Sequence, residues 1–259
     1  MSVVPADFES LVSEGAAVPL DGWDFSWFEG RAYEERPPWG YARHLGRRLR
    51  VARAALDIQT GSGELLAESP QRPPLLVATE SFAPNVAAAH RTLRPLGAWV
   101  VVAGDDAGLP FRTSSFDLVV SRHPTVTVWA EIARVLLPGG AYFSQQVGAG
   151  SVRELTDFMM GPQPVSDARS VSRALAAAER AGLVVVDVRE ASVRTVFYDV
   201  AAVTHFLRKV PWIVPDFTVE RYRHRLAALH ASIQAEGCFV AHARRFLIEA
   251  QKPSGPVAT

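Results

Sequence analysis

The 259-residue chain has a single cysteine, Cys238, which excludes an internal disulfide and a cysteine-built metal cage. It stands beside Phe239-Val240, a setting for a small core residue rather than a nucleophile. No apolar run approaches the ~18 residues that span a bilayer, so no membrane partner is expected. The start of the chain, with Asp7, Glu9 and Glu14 among short apolar pieces, lacks the basic opening and apolar middle of a secretory leader. A cytoplasmic location is the expectation. Neither charge is in excess: Lys plus Arg and Asp plus Glu each number 27. Extended phosphate contact normally shows as a basic surplus, so this balance argues against a nucleic-acid substrate and leaves only a local patch open. No two of the seven histidines have the i, i+4 spacing of a helical metal site, and no metal is expected. Internal repeats and low-complexity tracts are missing as well.

What is present is a series of apolar runs that each end in polar residues. Ala55-Leu56-Asp57-Ile58-Gln59-Thr60-Gly61-Ser62-Gly63-Glu64 passes from an apolar run through an acid into a glycine-containing turn. A strand that ends this way delivers its loop to the carboxyl edge of a parallel sheet, where open α/β folds bind small molecules. Asp57 can accept hydrogen bonds from a charged amine or order its own loop, and a strand-to-helix turn without a ligand reads the same way. Leu75 to Glu80 is a second such run, and Glu80 lies 23 residues after Asp57. An acid at that distance is placed to accept ribose hydroxyls. Ala98 to Ala103 leads into Gly104-Asp105-Asp106, and Phe116 to Ser121 leads into Arg122-His123. Helical stretches follow Glu80, cover Trp129 to Leu137 up to Pro138-Gly139-Gly140, and run from Arg173 to Ala181. Leu183 to Val188 and Phe239 to Ile248 are further strands. Such alternation implies a parallel sheet with right-handed crossovers and helices on both faces.

With Asp57 to Gly63, Glu80, Gly104-Asp105-Asp106-Ala107-Gly108-Leu109-Pro110-Phe111, Ser115 to Val119, and Glu131-Ile132-Ala133-Arg134-Val135-Leu136-Leu137-Pro138-Gly139-Gly140, the chain resembles the class I S-adenosylmethionine-dependent methyltransferases, of the small-domain, type 11-like kind. The resemblance covers roughly residues 40–150. It implies an α/β fold with a seven-stranded, mostly parallel Rossmann-like sheet, an antiparallel last strand and a helical cap insertion. The expected layout is a single domain: a leader or flap over 1–50, a cofactor core over 51–190, a cap over 191–237 and a final strand over 238–250. S-adenosyl-L-methionine is the implied cofactor. Asp57, Gln59, Gly61 and Gly63 would cradle its methionine end, Glu80 its ribose, Asp105 and Asp106 its adenine edge, and Ser121 would form the inner wall. Asp117 is assigned to its strand end rather than to ligand. One departure stands out: Gln59 occupies the place of the family's first loop glycine. Its side chain either bonds the cofactor's carboxylate or amine, or crowds the site.

The leader holds three of the six tryptophans, and the segment from 191 to 237 is too apolar and aromatic for a disordered insertion. Trp27, Tyr198, Phe206 and Trp212 are therefore the candidate acceptor-binding residues, with packing and a homodimer contact as competing readings. His123, directly after the fourth strand, and His205, near Asp199, are the candidate catalytic residues, because imidazole titrates near neutrality. Arg47, Arg48, Arg50 and Arg53, like Arg221, Arg223, His224 and Arg225, are basic clusters that read as solvated helix faces or as an RNA rim. The expected activity is methyl transfer to a small molecule. The alternatives are an RNA or protein methyltransferase, or a non-catalytic cofactor-binding protein.

Overall fold

Short apolar runs alternate with helix-forming stretches, and this alternation sets the element order. The computed structural model describes residues 7–20 and 25–255. Helix α1 (Phe8–Ala17) and strand β1 (Ala32–Glu34) precede α2 (Tyr41–Val51). Then come β2 (Ala54–Asp57), α3 (Glu64–Ala67), β3 (Leu75–Glu80), α4 (Ala83–Leu93), β4 (Trp99–Val102), β5 (Phe116–Arg122), α5 (Trp129–Val135) and β6 (Leu136–Val147). The chain finishes with α6 (Arg153–Met160), α7 (Val171–Arg180), β7 (Val184–Phe197), α8 (Val200–Lys209), α9 (Val219–Glu236) and β8 (Phe239–Gln251). Residues 21–24 of the aromatic leader and 256–259 of the tail lie outside the described residues.

The strands form one sheet in the order β1-β7-β8-β6-β5-β2-β3-β4. Strand β2 pairs in parallel with β3 and β5, β3 with β4, and β5 with β6. The last strand, β8, is antiparallel to β6, as the resemblance implies. The chain moves outward from β2 to β3 and β4, then returns to β5 on the other side of β2. That reversal opens a crevice at the carboxyl ends of the strands.

Three boundaries differ from the sequence reading. The sheet has eight strands rather than seven, because β1, three leader residues too short to show a period, pairs antiparallel with the end of β7. Helix α5 stops at Val135, and Pro138-Gly139-Gly140 lies in the irregular start of β6, opposite a register shift in β5. Strand β7 runs on to Phe197 through polar Arg189-Glu190, because its mid-section is exposed and polar side chains cost nothing there. The insertion that follows is therefore α8 and α9.

The chain divides into two compact units. One takes the described residues within Met1–Arg36, Gly150–Ser166 and Ser192–Arg244; the other takes those within Pro37–Ala149, Asp167–Ala191 and Arg245–Thr259. The second unit contains two apolar cores, and the strand period of two assigns neighbours to each. Leu56, Val77, Val119, Tyr142 and Phe246 face α5 and α7 residues such as Ile132 and Ala178. Ala55, Leu76, Leu118, Phe143 and Leu247 face Leu45, Leu49, Ala89 and Leu93 of α2 and α4. No helix among the described residues is long and apolar enough to cross a membrane.

Candidate functional site

The loop between β2 and α3 is held from several sides. Ile58 N donates to Val120 O at 2.9 Å, and Thr60 N to Thr79 O at 2.9 Å. The Glu80 carboxylate accepts from Gly61 N at 2.8 Å, Ser81 N at 2.9 Å and Phe82 N at 3.1 Å. It thereby fixes both the glycine loop and the approach to α4. Gly63 caps α3 with φ 81°, and a Cβ there would stand 2.6 Å from Leu93 Cγ, so the position requires glycine. Asp57 is buried and accepts from the Thr60 hydroxyl at 2.7 Å. Burial pushes its carboxyl up to about 7; the Thr60 hydrogen bond works against that rise and the Glu80 charge adds to it. At the opposite end of β2, Asp117 accepts from Arg53 N and Ala54 N at 2.8 and 3.0 Å, the strand-end position expected of it.

A pocket enclosing about 400 Å³, open mouth included, lies at the carboxyl ends of β2 to β5. Its walls include Ile58, Gln59, Thr79, Asp105, Ser121 and Tyr142. Of the sequence-predicted cofactor residues, Gln59, Asp105 and Ser121 line it; Asp57, Gly61 and Glu80 organise the adjoining loop, and Gly63 caps the helix behind it. Asp106 is not among the lining residues. Ser121 is 1% exposed, and its hydroxyl shares hydrogen bonds with Tyr142 at 2.7 Å and Ser144 at 2.9 Å. Asp105 carries the test of fit. Its Oδ2 accepts from the Thr125 hydroxyl at 2.6 Å, while its Oδ1 is buried with no hydrogen-bond partner among the described residues. An orphaned carboxylate oxygen in a pocket wall is a costly arrangement unless a ligand donates to it. An adenine amine is such a donor, so the donor set fits the cofactor.

Several contributors escaped the sequence reading. Arg134 clamps the Leu-Pro-Phe loop: its guanidinium donates to Phe111 O at 2.7 Å, Leu109 O at 2.8 Å and Glu131 Oε1 and Oε2 at 2.7 Å each. The Arg134 bond, and after it Leu109 N at 2.6 Å, hold the Glu131 carboxyl below its usual range. Gln145 sits between Trp39 and His123. Trp39 Nε1, which can only donate, reaches Gln145 Oε1 at 2.7 Å. That fixes the amide, so Gln145 Nε2 donates to His123 Nε2 at 2.8 Å, and the His123 proton resides on Nδ1. His123 takes a left-handed φ of 54°, and burial, with Arg245 and Arg122 nearby, holds its imidazole neutral well below the usual range.

The other predicted residues lie in the first unit. His205 is 1% exposed, stacked on Phe28 and edge-on to Trp27, each with centroids 5.0 Å away. Burial, then Lys209 and Arg208, lower its imidazole to about 4, and its Nδ1 has no partner among the described residues. Phe206 packs against Phe197 and Phe28. Asp199 caps α8 through Ala202 N at 2.7 Å and pairs with Arg31, which also lies over the Trp27 ring. Tyr198 and Trp212 are 47% and 43% exposed. No cluster of His, Cys, Asp or Glu among the described residues is arranged to hold a metal ion.

Residues 56–144 match the family described as methyltransferase domain. No curated protein matches the chain by sequence. Among solved structures it is similar to the YcgJ protein of Bacillus subtilis, at 18% identity and a TM-score of 0.58, over 83% of this chain and 99% of that one. An S-adenosylmethionine-dependent methyltransferase from Mesorhizobium loti matches at 15% identity and 0.50, over 82% and 96%. A chain from the complex of the Haloferax volcanii Trm112 methyltransferase activator with its methyltransferase matches at 19% and 0.51, over 97% and 100%. These structural likenesses show the fold; the family match carries the activity.

Proposed function

We propose, on the premise that this chain is a class I S-adenosylmethionine-dependent methyltransferase with its family domain at residues 56–144, that it methylates a small-molecule acceptor. The orphaned Oδ1 of Asp105 in the pocket wall is the observation that carries the placement of the cofactor there. In this reading Asp105, with Asp106 beside it, holds the adenine edge, Glu80 the ribose, and Asp57, Gln59, Gly61 and Gly63 the methionine end against the wall at Ser121. When bound, the cofactor supplies a sulfonium-activated methyl group for a one-step displacement by an acceptor nucleophile. The chain's own task is then positioning and exclusion of water rather than covalent chemistry.

Trp27, Tyr198, Phe206 and Trp212 are the residues proposed to recognise the acceptor, since aromatic rings supply apolar contact at low rotational cost. His123 is proposed to orient the acceptor as a neutral imidazole that offers N–H from Nδ1; His205, with an unpartnered Nδ1, is packed inside the ring stack of its own unit. The even charge balance supports a small molecule over a nucleic acid. A macromolecular acceptor is the second reading, favoured by Arg43, Arg47 and Arg50 exposed on one face of α2. Calorimetric titration of S-adenosylmethionine and S-adenosylhomocysteine tests the cofactor site. Binding to the wild type that falls at least about tenfold in Asp105→Ala supports it; equal binding to both removes Asp105 from the site. A subsequent acceptor screen with S-adenosylhomocysteine release as readout separates small molecules from RNA and protein.

A further inference from the structure

We propose that Gln59 and Thr125 form a gate that holds the loop after β5 across the cofactor pocket, and that cofactor entry opens it. This deepens the reading above and rests on it. Two strands stand between β5 and β4 in the sheet, so their ends lie about 14 Å apart at the usual strand spacing. Yet Thr125, just past the end of β5, donates to Asp105, just past the end of β4, at 2.6 Å. The loop therefore passes over the carboxyl ends of β2 and β3, the floor of the pocket. Gln59, at the end of β2, holds it midway. Its Oε1 accepts from Thr125 N at 2.6 Å and lies 3.0 Å from the Thr125 hydroxyl, whose proton goes to Asp105, and its Nε2 donates to Val126 O at 2.7 Å.

Every polar atom of the Gln59 side chain is used in this bridge, and its backbone is in the left-handed region at φ 58°, where glycine is favoured. The glycine expected at this position by resemblance would relieve the backbone and could tie nothing down. The residue that departs from the family pattern is thus the one that fastens the loop. Thr125 engages Oδ2 of the carboxylate whose Oδ1 is assigned to the adenine edge, so the bridge pins the loop beside that oxygen, and the cofactor competes with it for the space beneath the loop. Gln59 and Thr125 act on binding through the loop and are positioning residues.

The test is the association and dissociation rate of S-adenosylhomocysteine, followed by stopped-flow fluorescence, in wild type, Gln59→Gly and Thr125→Ala. Gln59→Gly relaxes a strained backbone and Thr125 is exposed, so both variants are expected to fold, which thermal melts verify. A fastened gate predicts association about tenfold faster in each variant, the equivalent of ~1.4 kcal/mol, with dissociation nearly unchanged in Thr125→Ala. Variants that bind while the wild type does not support the gate as well. Binding with equal or slower association in the variants overturns the gate and leaves the cofactor reading standing. Failure of all three proteins to bind overturns both.

Discussion

Asp57 makes the site sensitive to pH. Its folded pKa of about 7 lies above the ordinary carboxylate range, so the native state holds a proton there that the unfolded chain has released. The stabilising difference is complete below the unfolded pKa and is lost as pH rises through about 7, a change of about 4 kcal/mol. Asp57→Asn, which keeps an acceptor for Thr60, should show a much flatter stability profile in urea unfolding between about pH 4 and pH 8. Equal slopes in the two proteins would mean that Asp57 is ionised throughout. In the proposed function Asp57 would also tie cofactor affinity to pH: an ammonium bound beside it favours the carboxylate, so affinity should rise up to about pH 7 and binding below it should release a proton. Calorimetry in buffers of different ionisation enthalpy reads that proton directly. His123 and His205 are both neutral at pH 7 and should add no limb to the rate profile in that range. Gln145→Glu replaces the amide that donates to His123 with an acceptor, which should move the imidazole proton to Nε2 and raise its pKa, visible in the ring nitrogen shifts by NMR.

At the level of elements, the glycine loop and the Leu-Pro-Phe loop are each fixed by a side chain from another part of the chain. Gly63→Ala would put a methyl group 2.6 Å from Leu93 in a left-handed backbone and should cost about 2–4 kcal/mol in chemical unfolding. Arg134→Ala should cost about 2 kcal/mol and weaken cofactor binding, because Glu131 and two carbonyls lose one donor at once. Arg134→Lys should not rescue it, since an ammonium cannot present the guanidinium's fixed fork. The strands β2 to β5 and the acids or hydroxyls at their ends were legible in sequence because period, turn glycines and strand-end acids are local signals. Gln59 was legible as an anomaly, although not as a fastening. Thr125 was not legible, because its partner Asp105 is reached by a loop crossing two strands. The Trp39–Gln145–His123 chain was hidden in the same way, joining residues more than a hundred positions apart. Strand β1 was missed because three residues carry no period, and it exists through pairing with β7.

For the whole molecule, charge balance makes a prediction of its own. With no net charge, the protein should show little affinity for a single-stranded RNA oligomer near physiological salt, and what binding there is should depend only weakly on salt. Tight binding with a steep salt slope in fluorescence anisotropy would instead favour the arginine face of α2 as a nucleic-acid surface. The way the chain is shared between its units bears on how it is made. The sequence passes from one unit to the other at about residues 36, 149, 166, 191 and 244, and β8 supplies its first residues to one unit and its last to the other. A nascent chain leaving the ribosome therefore has neither unit complete until its final strand emerges. Vectorial, unit-by-unit folding during synthesis is closed to it, and loss of the last strand by early termination would leave both halves unfinished rather than one intact.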